Sequence, residues 1–271
     1  MPKLIHQRDI DKYRDTKWHL TNRLRIRDES EAIKFINDVG MCLLFGSDEI
    51  PLPKLSQSAK SDEWDWWEWK DSLQAKKKWY NSRVVKKKAT LISMELLPCF
   101  LSLYYESGGF EVYEEEFYYG KLTESANRIA DYLDNHGPKS IDDLRKALAE
   151  PGKVGTRKFH DGVKELQSKF KIAVTGLEDK HWGVRVLDLF SNWAPKKIFE
   201  KAETLKPNVA RNTILKKFIT TSGITTEKEI IRLFGWSQDS VQSSVKELLK
   251  SKNLHIVSLK GRPAEFISYN F

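Results

Sequence analysis

ESANRIADYLDNHGPKSIDDLRKALAEPGKVGTRKFHDGVKELQSKFKIAVTGLEDKHWGVRVLDL, residues 124–189, is the stretch that decides the fold. Its opening reads as a helix with Ile129 and Leu133 on one side, stopped by Gly137 and Pro138. Ser140 is placed to cap a second helix, with Asp143 three residues on. After the break EPGKVG, the residues Phe159, Val163, Leu166 and Phe170 recur at the spacing of one helical face. KIAVTGLE and GVRVLDLF then read as two strands joined by a turn around DKHWG. The predicted order is helix, helix, helix, hairpin.

The same order returns at the end of the chain. ARNTILKKFITTSG, TTEKEIIRLFG and SQDSVQSSVKELLKSK predict three helices, and LHIVSL and AEFISYNF predict two strands around KGRP. VKEL stands at 163–166 and again at 245–248, and SKFKIAV from Ser168 parallels SKNLHIV from Ser251. Shared order and shared words imply duplicated units. Three helices and a hairpin are the plan of a winged helix, a variant of the helix-turn-helix. We therefore expect an α+β, mainly helical protein of tandem winged-helix units, divided into residues 1–120, 121–195 and 196–271.

In that plan the third helix enters the major groove and the hairpin touches the flanking backbone. Opposite the apolar stripe, the third helix carries Arg157 and Lys164 in the middle unit, and Lys246 and Lys250 in the last. The hairpins offer Lys180 and Arg185 in one unit and Lys260 and Arg262 in the other. These eight cations are candidate DNA contacts, to phosphates or base edges. Asp161 and Asp239 on the same helix faces fit a protein-binding use as well.

Charge points the same way. The net charge is +8 over 271 residues, and residues 196–271 carry 14 Lys+Arg against 7 Asp+Glu. A basic end suggests a polyanionic partner. No run of eighteen apolar residues suits a membrane span, and the N-terminus has no signal-type apolar stretch, so the expected location is the cytoplasm. Two cysteines in apolar settings and six scattered histidines support neither a disulfide framework nor a metal site. Without a glycine-rich nucleotide loop, a nucleophile elbow or a zinc motif, no cofactor and no metal are expected.

The first 120 residues are less regular. DESEAIKFINDVG predicts a capped helix ending at Gly40, MCLLF a short buried strand or helix, and TLISMELLPCFLSLYYE one long helix kinked or joined at Pro98. KYRDTKWHLTNRLRIRD carries an amphipathic arginine pattern suited to docking or to nucleic acid. Between them, residues 61–88 place Trp64, Trp66, Trp67 and Trp69 within six positions and then run through Lys76–Lys78, Arg83 and Lys86–Lys88. Rings beside lysines suit stacked bases and tracked phosphates. The other use of those rings is a hydrophobic core with a solvated basic face. Asp65, Glu68 and Asp71 lie close to one helical face, where three carboxylates share protons and one becomes a candidate general base. The plainer reading is that they solubilise an aromatic-rich segment.

DEWDWWEWKDSL, ATLISMELLPCFLSLY and GKLTESANRIADYLDNHGPKSIDDLRKAL, taken in this order with the tandem units, resemble the AlkZ/YcaQ-like family from about Glu29 to Phe271. The resemblance implies three winged-helix units forming a concave basic cradle for duplex or damaged DNA. It also implies a relation to monofunctional glycosylases that release alkylated bases or unhook crosslinks. Those enzymes carry Gln-x-Gln or Gln-x-Asp in the first unit. This chain has neither, and WDWWEWKDSL, which lies where they have a tryptophan-histidine-serine motif, contains no histidine. Three readings stand: a DNA-binding protein of repair or transcriptional control, a glycosylase with a rearranged carboxylate site, and a protein-interaction scaffold.

Overall fold

The computed structural model describes residues 2–46, 49–60, 65–178, 183–252 and 254–269. The chain is α+β, mostly helical with small sheets. It opens with β1 (Lys3–Ile5) and α1 (Gln7–Lys17). Then come α2 (Glu29–Val39), β2 (Met41–Leu43), α3 (Leu55–Ser58), α4 (Asp65–Ala75), β3 (Trp79–Ser82) and β4 (Thr90–Ser93). Two connecting helices, α5 (Leu97–Glu106) and α6 (Tyr113–Tyr118), lead to α7 (Glu124–His136), β5 (Lys139–Ser140), α8 (Ile141–Leu148), α9 (Gly152–Ser168), β6 (Ile172–Glu178) and β7 (Val184–Leu189). Two more, α10 (Phe190–Trp193) and α11 (Lys196–Thr204), precede α12 (Pro207–Ser222), β8 (Ile224–Thr225), α13 (Glu227–Phe234), α14 (Gln238–Lys250), β9 (His255–Leu259) and β10 (Glu265–Ser268).

One topology occurs three times. The sheets run β2-β4-β3, β5-β7-β6 and β8-β10-β9, so the short strand after the first helix always pairs with the second strand of an antiparallel hairpin. The helix ends repeat too. The first helix of each unit stops at a glycine, Gly40, Gly137 or Gly223, with φ of 75°, 70° and 84°, a conformation that only glycine adopts cheaply. The third helix stops at a left-handed residue that is not glycine: Lys77, Phe170 or Lys252, at φ of 57°, 55° and 58°. Such a residue costs on the order of 1–2 kcal/mol. Phe170 offsets that cost by burial, its ring centroid 5.6 Å from Tyr80 and 5.5 Å from Tyr104.

Local capping follows the sequence where polar caps exist. Ser140 accepts from the Asp143 N–H at 3.2 Å, and Thr226 accepts from the Glu229 N–H at 3.1 Å. The stripe Phe159, Val163, Leu166 and Phe170 is buried as its spacing requires, although α9 begins at Gly152 rather than after the break EPGKVG. The segment TLISMELLPCFLSLYYE departs from its expectation as one helix. It forms β4, a turn and then α5, with Pro98 in the first helical turn, where its missing N–H leaves no hydrogen bond unmade.

The chain's start packs with its end. β1 adds to the β9 edge in parallel register, Ile5 opposite Leu259. From α1 and the residue after it, the Tyr13 hydroxyl, the Arg14 guanidinium and the Trp18 indole donate to the carbonyls of Thr220, Ser222 and Thr221 at 2.5, 2.8 and 2.7 Å. They occupy carbonyls at the end of α12 that have no helical partner. α12 in turn sends Lys217 Nζ to the Asp38 carbonyl at 3.0 Å and Thr221 Oγ1 to the Val39 carbonyl at 3.0 Å. Residues 3–18 therefore bridge the C-terminal segment, whose β9 edge and bare helix carbonyls call for partners, and the first unit, where Lys17 pairs with Asp38 at 2.6 Å and the Ser58 hydroxyl donates to the Trp18 carbonyl at 2.6 Å.

Four hydrophobic clusters are formed by the described residues, and the largest crosses between the units, while Ile5, Ile10, Ile224, Val257, Leu259 and Phe266 join the chain's start to its end. Phe35, Trp69 and Trp79 anchor the first unit, and Ile129, Leu133 and Leu166 anchor the middle one. Met41, Tyr80, Phe170, Phe190, Trp193 and Phe218 share the cluster that joins all three. At its centre the fully buried Tyr80 hydroxyl lies 3.2 Å from the Gln167 carbonyl and 3.0 Å from that of Ile172, its one proton shared between them. Burial raises its pKa, so it stays protonated and donating. The Trp193 indole donates to the Gln74 carbonyl at 2.9 Å from the other side of the joint.

Tyr80→Phe removes the hydroxyl and nothing else. The expected loss is about 1–3 kcal/mol of unfolding free energy at unchanged m-value, read from denaturant melts.

Candidate functional site

Where the first and middle units meet, they leave a cleft of about 330 Å³. Phe45 follows β2, Trp67, Lys70 and Asp71 come from α4, Asn81 and Arg83 from β3 and the residue after it, Gln167 from α9 and Arg185 from β7. The elements are fixed from behind. Alternation along β3 sends Trp79 into the first unit's core, where its indole donates to the Lys70 carbonyl at 3.2 Å. Tyr80 points the opposite way into the joint. Gln74 Oε1 accepts from the Asn81 N–H at 3.2 Å, tying α4 to the same strand. α4 thus presents Trp67, Lys70 and Asp71 to the cleft while Trp69 and Leu73 face the core.

The rim is aromatic. Phe45, half exposed, stacks on Trp67 with centroids 6.3 Å apart and planes 26° apart, and Trp66 meets Trp67 edge-on at 5.9 Å. The floor is ionic. Lys70 Nζ sits 4.2 Å from the Trp67 ring centroid and pairs closely with Asp71 Oδ2. Asp71 Oδ1 is buried and has no hydrogen-bond partner among the described residues. Arg83 reaches across the unit boundary, its Nε donating to Gln167 Oε1 at 3.1 Å while a terminal nitrogen donates to the Lys87 carbonyl at 3.2 Å. Asp142, the other carboxylate in the lining, is paired with Arg145 at 3.2 Å. Arg185 makes no ion pair with another described residue.

Burial dominates the proton equilibria here. It holds the Lys70 ammonium below its usual range, opposed by Asp71 and assisted by Arg185. Arg83 is likewise lowered, by burial first and by Arg185 second. Three cations converge on one cleft whose buried carboxylate, Asp71, keeps one oxygen without a partner among the described residues. Such a site suits an anionic ligand with a planar or apolar part for the rim.

The other predicted residues are dispersed. Of the carboxylates, Asp71 alone enters the cleft; Asp65 and Glu68 are exposed, because the helical arc they span is wide enough to turn the first two to solvent. The common cleft expected for the three therefore does not form. Trp69 is core, Trp66 and Trp67 are half buried, and Trp64 and Lys180 lie outside the described residues. Arg157 and Lys164 are exposed on α9 and both approach Asp161, at 3.7 and 2.8 Å. Lys246, Lys250, Lys260 and Arg262 are exposed and make no ion pair among the described residues. Lys86, Lys87 and Lys88 form the exposed turn between β3 and β4, so the run expected either to track phosphates or to face solvent is the turn of the first unit's hairpin. Phe45, Asn81 and Gln167 carry no local signal, since Asn81 and Gln167 are ordinary residues of a strand and a helix and Phe45 lies in the bend after β2. Among the described residues, no helix is long and apolar enough to cross a membrane, and no cluster of three His, Cys, Asp or Glu is placed to hold a metal ion.

The chain thus combines three units of one topology with a cleft between the first two. The chain belongs to the AlkZ-related family, whose model matches residues 26–235. Its fold is similar to that of the Streptomyces sahachiroi DNA glycosylase AlkZ, at a TM-score of 0.60 and 13% identity over 98% of this chain and 70% of that one. A comparison with curated proteins finds no match.

Lys70→Met strands Asp71 in the cleft without its cation. Thermal and denaturant melts are expected to show a loss of about 3–5 kcal/mol, much of it recovered in the double variant Lys70→Met/Asp71→Leu.

Proposed function

We propose that this protein binds DNA through three winged-helix units and acts in DNA repair. The observation that carries the reading is the recurrence of a basic hairpin on one repeated topology: Lys86–Lys88 on the first, Arg185 on the second, Lys260 and Arg262 on the third. Cations recur on the hairpins of the repeated units, and those of the first and last hairpins make no ion pair among the described residues. The AlkZ-related family and the likeness to a DNA glycosylase support the same reading. The cleft rim of Phe45 and Trp67 offers a stacking surface for an unpaired or displaced base at the centre of the contact. The exposed lysines of α9 and α14 add phosphate contacts, weaker on α9, where Asp161 competes for them.

A second reading is favoured by the placement of Asp71. With the Gln-x-Gln/Asp pair absent, this carboxylate is the candidate to position water against an anomeric carbon in a rearranged glycosylase site.

Duplex, single-stranded and abasic DNA titrated across a salt series test both readings, with base release from alkylated DNA scored in the same samples. About six phosphate contacts give an expected loss of affinity of roughly 10³-fold between about 50 and 200 mM salt. Lys260→Ala and Arg262→Ala are each expected to lower the salt slope by about one contact. Absence of binding at low salt leaves the units as protein-docking modules. Base release that disappears in Asp71→Asn establishes the second reading.

A further inference from the structure

The least expected group in the cleft is a primary amine. Lys70 is 8% exposed, yet it lines an opening rather than the interior of a core. Its neighbours hold it in place, with Asp71 Oδ2 on one side and the face of Trp67 on the other. Arg83 and Arg185 line the same cleft, and a guanidinium is no nucleophile. A paired amine needs neither guanidinium for stability. What the combination fits is a backbone segment whose phosphates engage the guanidiniums while an electrophilic carbon meets the amine.

Resting on the reading that the protein binds DNA, we propose that Lys70 forms a transient imine with the C1′ aldehyde of an abasic site, and that Asp71 accepts the C2′ proton in strand cleavage by β-elimination. An abasic residue has lost its base, so its ring-opened sugar fits a cleft of about 330 Å³, and the Phe45–Trp67 rim is left to stack a neighbouring base. The neutral amine adds to the aldehyde carbon. Amine, aldehyde and one proton give an iminium and one water. The C2′–H bond then breaks toward the carboxylate, its electron pair forms the C2′=C3′ double bond, and the C3′–O bond breaks to release the 3′ phosphate. Water hydrolyses the iminium, returning an unsaturated aldehyde and the lysine. No oxidant or reductant is needed. The cation persists from ammonium to iminium, so Asp71 and the Trp67 face stabilise both, and the unpartnered Asp71 Oδ1 is the oxygen left to receive the proton. Desolvation, which lowers the pKa of Lys70, increases the neutral fraction available for attack.

The test is borohydride trapping on a labelled duplex with one abasic site, with binding measured in parallel on a duplex carrying a tetrahydrofuran abasic analogue, which has no aldehyde. Wild type is expected to bind both duplexes, to be trapped on the first alone, and to show the reduced adduct on Lys70 by peptide mapping. Lys70→Arg keeps the charge and removes the nucleophilic amine, so the trapped fraction per duplex bound, normalised to the variant's own binding of the analogue, is expected to fall by roughly tenfold or more. Binding of both duplexes without an adduct, or an adduct mapped to another lysine, overturns the imine and leaves the DNA reading intact. Failure to bind either duplex overturns the DNA reading, and the imine with it.

Discussion

The arrangement depends on one buried hydroxyl. Tyr80 stands on the strand that also places Trp79 and Asn81, and its oxygen faces the turn where α9 ends and β6 begins. That turn contains Phe170 in a left-handed conformation, which survives because the ring packs against Tyr80, Tyr104 and Phe190. The joint is therefore both a hydrogen bond and an aromatic cluster, and each half requires the other. If the first unit turned away from the middle one, Gln167 would leave Arg83 and Arg185 would leave the wall opposite Lys70. The cleft is a property of the joint rather than of either unit.

A second lock closes the ends of the chain. Side chains of α1 and Trp18 occupy the last carbonyls of α12, and side chains of α12 occupy those of α2. At Gly40 this second contact leaves no space for a Cβ, which would collide with Lys217. Three units of similar plan would otherwise behave as beads. Capping in relay, α1 onto α12 and α12 onto α2, joins the last unit to the first, as the aromatic joint at Tyr80 joins the first to the middle.

The middle and last units were legible in the sequence because their signals are local: a periodic stripe, a capping Ser140, and repeated words at the end of each third helix. The first unit was not. Its second helix is the single turn Leu55–Ser58, and its hairpin is preceded by the tryptophan run, whose adjacent rings blur the apolar periodicity of α4. Its signature lay instead in Gly40 and in the positive φ of Lys77, and only the first of these can be read from residue type. Pairing of β1 with β9 joins residues more than 250 positions apart, beyond any local pattern. The cleft was half visible. Trp67, Asp71 and Arg185 stood out as residues and Lys70 did not, and their partnership depends on which face of α4 the core takes, which is decided by Trp69, Leu73 and the strand behind them. Asp65 and Glu68 looked equivalent to Asp71 in sequence and differ from it only through that choice of face.

Hydrogen exchange on the full chain, with and without saturating abasic duplex, tests the central claim most directly: the joint between the first two units is where DNA is met. The account predicts slowed exchange in the second half of α4, in the β3–β4 turn and at the start of β7, together with the C-terminal hairpin. Saturated binding that leaves residues 65–89 and 183–187 unchanged, with protection confined to the last unit, would contradict it.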